Sequence, residues 1–488
     1  MRSDGGGSLV KPDTPFKPVR RSLGDLIGAE HTEAVCAARS ALTGESVPDL
    51  LSEATRKVEF LPETLLRAQT AMLERVGTRV CGPAPATSPG ASSRAFNAAT
   101  RKSAAPLSAF GWFRIGEDGR LYVITKSEHY HAPVGHGFPG FSLLDTARRL
   151  GIPNATHNST RGHITRKLET ELVRTANGIR EGASGALSAL MSSETGRLNR
   201  VLNLETGSLA VEAAFKMCLA RFYAHDPDGP APKYSGCVPV FIVLGDDAGR
   251  PSGNYHGTTA LVQALRGLWP GLTKDLEDRG LIRVCAVRPN VVSDLEEAFA
   301  RYDGQPNPEA QASRLSSPDR RTKTAAFFHE IVMMNYGARV LDRAYLQHAY
   351  ALCASHDVPT VCDEIQSCLW APGLFLFREW GLEPDFVALG KGFPGGEYAA
   401  SRVLFGAPYD SLSQFGALVT NGQEEIASLA YLITMTWASV NEEPIRRLGD
   451  LYAERLGALV DAHPGVLVSV EGSRHMSALR FHDLAAAQ

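Results

Sequence analysis

Two short apolar runs, each ending in a polar residue, constrain the fold of this chain most strongly. Val361-Cys362 leads into Asp363, and residues 386–389 lead through Gly390 to Lys391. Continuous apolar runs of this kind are typical of strands buried in a parallel sheet. Asp363 precedes Lys391 by 28 positions, which is ample for a crossover that returns the chain to a parallel neighbour. Because parallel strands end at one edge of a sheet, we expect this carboxylate and this amine to face one ligand.

This pair of side chains has two interpretations. A lysine amine can form an imine with an aldehyde cofactor, and a carboxylate opposite it can hold a pyridine nitrogen in its protonated form. Those two groups are the minimal apparatus of pyridoxal 5'-phosphate (PLP) chemistry. An Asp at the end of a strand and a Lys after one are, however, also common as solvated surface groups. The pair alone therefore does not choose between a cofactor site and an ordinary surface.

The segment around Gly207 and Ser208 predicts a turn that opens a helix. The apolar residues after it recur at helical spacing, and they are Val211, Ala214, Phe215, Cys218, Leu219 and Phe222. A Gly-Ser turn in this place offers free backbone N–H groups and a hydroxyl at the positive end of the helix dipole, which suits a phosphate. An ordinary serine cap before an amphipathic helix has the same pattern, so both interpretations stay open.

Three other segments contribute candidate site residues. Tyr255 and His256 lie in a polar, Gly-containing loop, where the Tyr255 ring could lie against a flat heteroaromatic ring. Glu330 follows the apolar run Phe327-Phe328, and Thr420 precedes a further helical pattern. None of these segments indicates a function by itself.

Taken together and in this order, the segments resemble the class III (omega/ornithine-type) aminotransferases, which are PLP enzymes of fold type I. The resemblance covers roughly residues 105 to 480. The matching segments are Gly207-Ser208 with its helix, Tyr255-His256-Gly257, Asp363-Glu364-Ile365-Gln366, Gly390-Lys391 with Gly395-Gly396, and Thr420-Asn421-Gly422. The resemblance implies an α/β fold, with a large domain built on a mostly parallel sheet covered by helices on both faces, plus a smaller α+β domain.

The resemblance also implies a role for each residue around the cofactor. Lys391 would form the Schiff base with PLP, and Asp363 would face the pyridine nitrogen. Gln366 would hydrogen-bond the phenolic oxygen, while Gly207 and Ser208 would bind the phosphate. In this assignment Lys391 and Asp363 are the catalytic residues.

The remaining residues lie at the edges of the expected site. Tyr255 would stack on the cofactor ring with His256 beside it, and Glu330 would border the cofactor on the substrate side. Thr420 would reach the phosphate in the site of the neighbouring subunit. The resemblance therefore implies a homodimer with both sites at its interface.

The function implied is transfer of an amino group between an amino acid or amine and a carbonyl compound. Several substrate-side positions depart from the family pattern: Leu209 replaces an acidic residue, Ile331 replaces Pro, and residues 368–372 replace a Gly-x-Gly-Arg-Thr run. We therefore expect an unusual substrate, in specialised metabolism. The alternative is a PLP enzyme that does not transaminate but performs beta or gamma replacement with C–C bond formation, epimerisation, amino migration or decarboxylation. A non-catalytic relative is a third hypothesis, against which both Asp363 and Lys391 argue.

Four regions are predicted along the chain. Residues 1–104 form an N-terminal extension with a disordered start, a helical part and a Pro/Ser/Ala-rich linker. Residues 105–157 and 441–488 are assigned to the small domain, and residues 158–440 to the large PLP-binding domain. The extension could be a lid, a dimer arm or a small helical partner domain. Family members usually continue past the final hairpin, so we expect a missing segment there or its replacement by the extension.

Composition agrees with an enzyme without selecting one. The chain has 488 residues, 44% hydrophobic and 21% charged, and its net charge of −3 gives no electrostatic reason to expect nucleic acid or an anionic membrane. The eight cysteines form no Cys-x-x-Cys pair and predict reduced thiols. There is no long apolar run and no signal-like N-terminus, so a cytoplasmic location is expected.

Two groups of potentially reactive residues are interpreted as having no catalytic or metal-binding role. His129, His131 and His136 are close in sequence, but no carboxylate or thiol lies beside them at ligand spacing, so we expect no metal. Cys368 lies near the proposed cofactor, where a small residue that fills space is favoured over a catalytic thiol. Arg474 and Arg480, in the final hairpin, have no family context, so the residue that binds a substrate carboxylate stays open.

Overall fold

The computed structural model describes residues 16–85, 90–124, 132–155, 157–305, 320–367, 369–417, 419 and 421–483. Some of the sequence predictions fall outside these ranges. They concern the phosphate contact of Thr420, the thiol of Cys368, and the histidines His129 and His131.

Short helices and strands make up the first part of the described chain. In chain order they are β1 (Arg20–Arg21), α1 (Leu23–Ile27), α2 (Ala29–Thr43), α3 (Val47–Thr55), β2 (Val58–Glu59), α4 (Glu63–Met72), α5 (Arg94–Ala99), β3 (Pro106–Phe110), β4 (Phe113–Gly116) and β5 (Leu121–Val123). Strands β3, β4 and β5 pair antiparallel in that order, and Asp118-Gly119 lies in the turn between β4 and β5.

From residue 142 onward, longer helices alternate with strands. In chain order they are α6 (Ser142–Arg149), α7 (His163–Ala176), α8 (Ser184–Met191), β6 (Arg200–Leu204), α9 (Gly207–Leu219), β7 (Val238–Leu244), α10 (Ala260–Leu265), α11 (Pro270–Asp278), β8 (Arg283–Val287), α12 (Val292–Tyr302), β9 (Thr322–His329), β10 (Val332–Met333), β11 (Arg339–Val340) and α13 (Arg343–Ser355). They continue with β12 (Thr360–Asp363), α14 (Leu376–Glu379), β13 (Phe386–Leu389), β14 (Ser401–Phe405), α15 (Gln414–Ala417), α16 (Glu425–Val440), α17 (Glu442–Ala462), β15 (Leu467–Ser473) and β16 (Met476–Phe481).

The central element is a sheet to which seven strands of the described chain contribute. Their order is β6-β14-β13-β12-β9-β7-β8. Strand β14 runs antiparallel to both of its neighbours, and the other pairings are parallel. The final hairpin predicted from the sequence is also present, because β15 and β16 pair antiparallel.

Strands β7 and β13 are apolar throughout, because helices cover both faces of the main sheet. Along β7, Val243 packs into the same cluster as Phe215 of α9. Its neighbour Ile242 packs into a second cluster, with Leu295 of α12 and Tyr345 of α13. Successive side chains of a strand point to opposite faces, so each cluster marks one covered face. The predicted α/β fold with a mostly parallel, doubly covered sheet is confirmed, whereas the domain boundaries stay predictions.

Strands β12 and β13 are parallel neighbours, as the spacing of Asp363 and Lys391 predicts. Their register pairs Val361 with Phe386 and Asp363 with Ala388. The crossover between them contains α14, a helix of four residues. Asp363 is thus the last residue of its strand, and Lys391 follows the end of the adjacent one.

The crossover is held by the residue next to Asp363. Glu364 is fully buried, and its carboxylate accepts hydrogen bonds from the backbone N–H groups of Leu376 and Phe377 at 3.0 and 2.6 Å. The hydroxyl of Ser367 donates a third, at 3.0 Å. These bonds satisfy N–H groups at the start of α14 that have no partner within the helix. The two adjacent carboxylates therefore have different roles: Asp363 lies at the edge of the sheet, and Glu364 holds the crossover.

The N-terminal extension shares its core with the rest of the molecule. Leu23, Ile27 and Phe60 belong to the same buried cluster as residues of α6, α7 and α16. The Phe60 ring lies 5.9 Å from that of Phe138, and the N–H of Lys17 donates to the Asn441 side chain at 2.7 Å. Residues 16–61 are therefore packed onto the body of the molecule through buried apolar contacts.

Glu364 gives the first testable prediction, a pH dependence of stability. Burial raises the pKa of its carboxyl from the ordinary 4.5 to about 7. Between pH 4.5 and pH 7 Glu364 keeps its proton in the folded chain and releases it in the unfolded chain. The contribution of Glu364 to the free energy of unfolding therefore falls as the pH rises. We expect the free energy of unfolding of wild type, minus that of Glu364→Gln, to fall by at most about 3 kcal/mol between about pH 4.5 and pH 7.

Urea unfolding at several pH values measures this difference. Glu383→Gln is the matched control, because Glu383 lies on the same crossover with its side chain 77% exposed. The difference in free energy of unfolding between wild type and Glu383→Gln is expected to be the same at every pH. A pH-independent difference for Glu364→Gln would contradict the prediction.

Candidate active site

A cavity of about 360 Å³ opens at the carboxyl edge of the main sheet, where β9, β12 and β13 end. Its lining residues are Glu205, Thr206, Gly207, Ser208, Tyr255, His256, Gly257, Glu330, Asp363, Ile365, Gln366, Lys391, Ala399, Ala400 and Ser401. All the site residues predicted from the sequence are among them except Thr420, which lies outside the described residues. The fold therefore brings distant segments together at one place.

Asp363 and His256 form a buried pair in the wall of the cavity. Nδ1 of His256 lies 2.9 Å from Oδ2 of Asp363, and the two side chains are 1% and 5% exposed. The second carboxylate oxygen accepts a hydrogen bond from the N–H of Ile365 at 3.1 Å. Nε2 of His256 is also buried, and it has no hydrogen-bond partner within the described ranges. Asp363 is fixed in orientation by these two bonds.

Lys391 follows β13 with its backbone in the left-handed region, at a φ of 36°. This conformation costs a residue with a side chain roughly 1 kcal/mol or more, and such strain is most often kept at functional sites. The preceding residue has no room for a side chain, since a Cβ on Gly390 would lie 2.3 Å from Oγ of Ser401. The chain is therefore held tightly at the point where the lysine side chain begins.

The predicted Gly-Ser turn is the start of α9. Thr206 is the residue before the helix and makes no side-chain cap hydrogen bond, and Gly207 and Ser208 of the first turn line the cavity. Oγ of Ser208 accepts a hydrogen bond from the N–H of Thr258 at 3.1 Å. A Cβ on Gly257 would lie 2.8 Å from Cα of Ser208. The loop that carries Tyr255 thus packs directly against the start of the helix.

Glu330 and Gln366 meet on another wall of the cavity. Nε2 of Gln366 is 3.5 Å from Oε1 of Glu330, and both side chains are buried. Oε1 of Gln366 is buried without a hydrogen-bond partner in the part of the chain that is described. Behind Glu330, burial lowers the pKa of His329 to about 3, so this imidazole is neutral near pH 7. Its Nε2 lies 2.9 Å from the Tyr350 hydroxyl.

Several lining residues were not identified from the sequence. Glu205 and Thr206 directly precede the Gly-Ser turn, and this adjacency was a usable signal. Ala399, Ala400 and Ser401 reach the cavity because β14 lies beside β13, an antiparallel placement that no local pattern indicates. Tertiary pairing therefore supplies one wall of the site.

The described residues hold no cluster of three or more His, Cys, Asp or Glu side chains arranged to bind a metal ion. Among the described helices, none combines the length and apolar character needed to span a membrane.

The chain is similar to known aminotransferases. The family model "Aminotransferase class-III" matches residues 156–482. Ornithine aminotransferase from Emericella nidulans is 46% identical over 208 residues, which are 42% of this chain and 40% of that protein. Ornithine aminotransferase from Halalkalibacterium halodurans is 26% identical over 299 residues, 58% of this chain and 66% of that protein. These alignments thus span less than two thirds of either relative.

A solved structure shares the fold. Ornithine aminotransferase from Plasmodium yoelii superimposes with a TM-score of 0.53 at 18% identity, covering 86% of this chain and 84% of the other. At that identity the similarity concerns the fold alone.

The tight contact at Gly390 gives a second prediction. Gly390→Ala places a methyl group 2.3 Å from Oγ of Ser401, and overpacking of this kind typically costs about 1–3 kcal/mol. Ser401→Gly removes the opposing hydroxyl, so the double variant is expected to recover most of the stability that Gly390→Ala loses. Denaturant unfolding of the two single variants and the double variant measures the coupling. Additive losses in the double variant would contradict the prediction.

Proposed function

This chain belongs to the class-III aminotransferase family, and from that premise we propose that it is a PLP-dependent aminotransferase with Lys391 as the amine that holds the cofactor. Class-III aminotransferases use PLP. The observation that carries the proposal is that Asp363 and Lys391, at the ends of adjacent parallel strands, line one cavity with the first turn of α9.

The cavity's own chemistry supports PLP as the ligand. His256 and Gln366 each present a buried polar atom that has no partner among the described residues, and both residues line the cavity. The first turn of α9 and the Ser208 hydroxyl offer donors for a phosphate group. The buried Asp363 carboxylate suits a protonated ring nitrogen. Donors for an anion and a carboxylate that line one cavity match a flat cofactor that carries a phosphate group and a basic ring nitrogen.

PLP, when bound, supplies an aldehyde that reacts with amines and a pyridine ring that withdraws electrons from the carbon next to the reacting nitrogen. Asp363 would hold the proton on the ring nitrogen, because a nearby carboxylate favours the charged form of that nitrogen. His256 would keep the Asp363 carboxylate in one orientation through the 2.9 Å hydrogen bond from Nδ1.

Lys391 would hold the cofactor and then move a proton at the substrate carbon. The contact between Gly390 and Ser401 fixes the backbone just before it. Gln366 would donate to or accept from the phenolic oxygen, and Tyr255 would cover one face of the ring. Glu330 would lie on the substrate side, where its bond to Gln366 joins the substrate region to the cofactor region.

The third prediction tests the cofactor amine directly. Borohydride reduction of the protein with PLP, followed by peptide mapping, is expected to place a phosphopyridoxyl group on Lys391. Lys391→Ala should abolish the label and the visible absorbance of the bound cofactor. Lys216→Ala is a control, because that lysine lies on α9 outside the cavity lining. A label on another lysine, or PLP bound with none, would overturn the proposal.

We propose that the amino donor carries a second positive group, as ornithine does. The relatives described above are named ornithine aminotransferases. The cavity presents the carboxylates of Glu205 and Glu330 in addition to that of Asp363. Negative groups of this kind favour a cationic substrate.

Labelled nitrogen gives the fourth prediction and separates transamination from its alternative. With ornithine labelled by ¹⁵N at its terminal amine and a 2-oxo acid acceptor, we expect ¹⁵N in the amino acid formed from the acceptor, detected by mass spectrometry. Glu205→Gln should raise the KM for ornithine more than it lowers kcat, because it removes one charge from the cavity wall. Consumption of donor without transfer of ¹⁵N would instead favour a non-transaminating PLP enzyme.

A homodimer with shared sites is also proposed, in which Thr420 of each subunit completes the site of the other. The fifth prediction uses subunit mixing. Lys391→Ala and Thr420→Ala each impair every site in their own homodimers, whereas a mixed dimer contains one site with both residues intact. Refolding the two variants together should therefore restore activity that neither shows alone. No gain on mixing, with dimers verified by mass, would argue that each site lies within one subunit.

We also propose a cytoplasmic location and a role in specialised metabolism. A cytoplasmic location is supported by the cysteines of the described chain, which are all free thiols. The altered substrate-side residues Leu209 and Ile331 support a role in specialised metabolism.

A further inference from the structure

An arginine lies over one face of the Tyr255 ring. Cζ of Arg266 lies 5.3 Å from the centroid of the Tyr255 ring, within the range of a cation–π interaction. Tyr255 is a lining residue of the cavity, and Arg266 is not among the described residues that line it. The absence of Arg266 from the described lining assigns its guanidinium to the face of the tyrosine ring turned away from the cavity.

The position of Arg266 is set by a hydrogen bond to the backbone of the same loop. Its Nη1 donates to the carbonyl oxygen of Asn254 at 2.6 Å, the residue directly before Tyr255. Arg266 thus contacts both the backbone that precedes the tyrosine and the tyrosine ring. A planar guanidinium can make both contacts at once, which an ammonium on a flexible chain cannot do equally well.

The side chain of Asn254 in turn holds the backbone where the end of β7, the loop before Tyr255 and the end of α10 meet. Its side chain is 2% exposed, and Nδ2 lies 3.2, 2.8 and 2.9 Å from the carbonyl oxygens of Leu244, Pro251 and Leu265. Leu244 ends β7, and Leu265 ends α10 immediately before Arg266. Tyr255 therefore directly follows the residue that carries this buried amide, and Arg266 directly follows a carbonyl that the amide holds.

We propose that Arg266 is a positioning residue for cofactor binding, which holds the Tyr255 ring against the cofactor ring from behind. This inference rests on the proposed function, because it requires PLP in the cavity. A cation–π interaction strengthens as water is excluded from it. A flat ring stacked on the cavity face of Tyr255 removes water from the tyrosine, so cofactor binding and the Arg266 contact stabilise each other.

The experiment measures dissociation constants of PLP and of pyridoxal, which lacks the phosphate, for the full-length protein. Arg266→Gln is expected to weaken both ligands by a similar factor of about three- to tenfold, because stacking concerns the ring that they share. Arg266→Lys keeps the charge and should fall between Arg266→Gln and wild type. In a Tyr255→Leu background, Arg266→Gln should cause no further loss.

Arg343→Gln is the matched control. Cζ of Arg343 lies 5.5 Å from the ring centroid of Trp380, and neither residue lines the cavity. This variant removes a comparable arginine–aromatic contact elsewhere, so its PLP affinity should equal that of wild type. Circular dichroism of each cofactor-free variant verifies that the fold is retained, and Arg266→Lys keeps the test valid if Arg266→Gln misfolds.

Three outcomes would overturn the inference. They are an unchanged affinity in Arg266→Gln, an equal loss with or without Tyr255, and a loss for PLP with none for pyridoxal. The last would assign Arg266 to the phosphate instead. Failure of the proposed function would give a different result. The wild-type protein would then not bind PLP or would carry no label on Lys391, and this inference would lose its basis as well.

Discussion

The parallel pairing of β12 with β13 is the constraint on which the rest of this site depends. Its register sets Asp363 opposite Ala388, so the carboxylate and the lysine that follows β13 reach the same edge of the sheet. A slip of one residue would turn Asp363 to the opposite face of the sheet. Both strands are fully buried, so such a slip would also move their side chains into the apolar cluster on the opposite face of the sheet. The register is therefore strongly specified. Packing of the core therefore fixes the geometry of the chemistry.

Hydrogen bonds between buried polar groups then set the orientation of the side chains that the sheet brings together. Asp363 is oriented by His256 and by the N–H of Ile365, while Glu364 secures the start of the crossover helix. Hydrogen bonds to these carboxylate oxygens offset part of the cost of burial, although burial still raises the pKa of Glu364. The same logic applies to Asn254, whose buried amide joins a strand end, a loop and a helix end behind Tyr255. The walls of the cavity are thus held by short polar contacts, each reaching a different element.

The sequence carried much of this arrangement, and the limits of prediction have physical causes. Apolar strands that end in Asp363 and Lys391 and the Gly-Ser start of α9 could be predicted, because they depend on local pattern and on the rule that parallel strands share an edge. The wall formed by Ser401 could not, since an antiparallel strand inserted beside β13 leaves no local signal. Nor could the position of Arg266, which depends on a cation–π contact across a loop. The role of the extension could not be predicted either, because its buried contacts with α6, α7 and α16 belong to tertiary packing.

The central claim is that one sheet edge presents Asp363 and Lys391 to the two ends of a single cofactor. A crystal structure of the full chain with PLP tests it most directly. The claim requires continuous density from Lys391 to the cofactor, the ring nitrogen within hydrogen-bond distance of the Asp363 carboxylate, and the phosphate at the first turn of α9. Cofactor bound elsewhere, or bound in this cavity with its ring nitrogen directed away from Asp363, would contradict it.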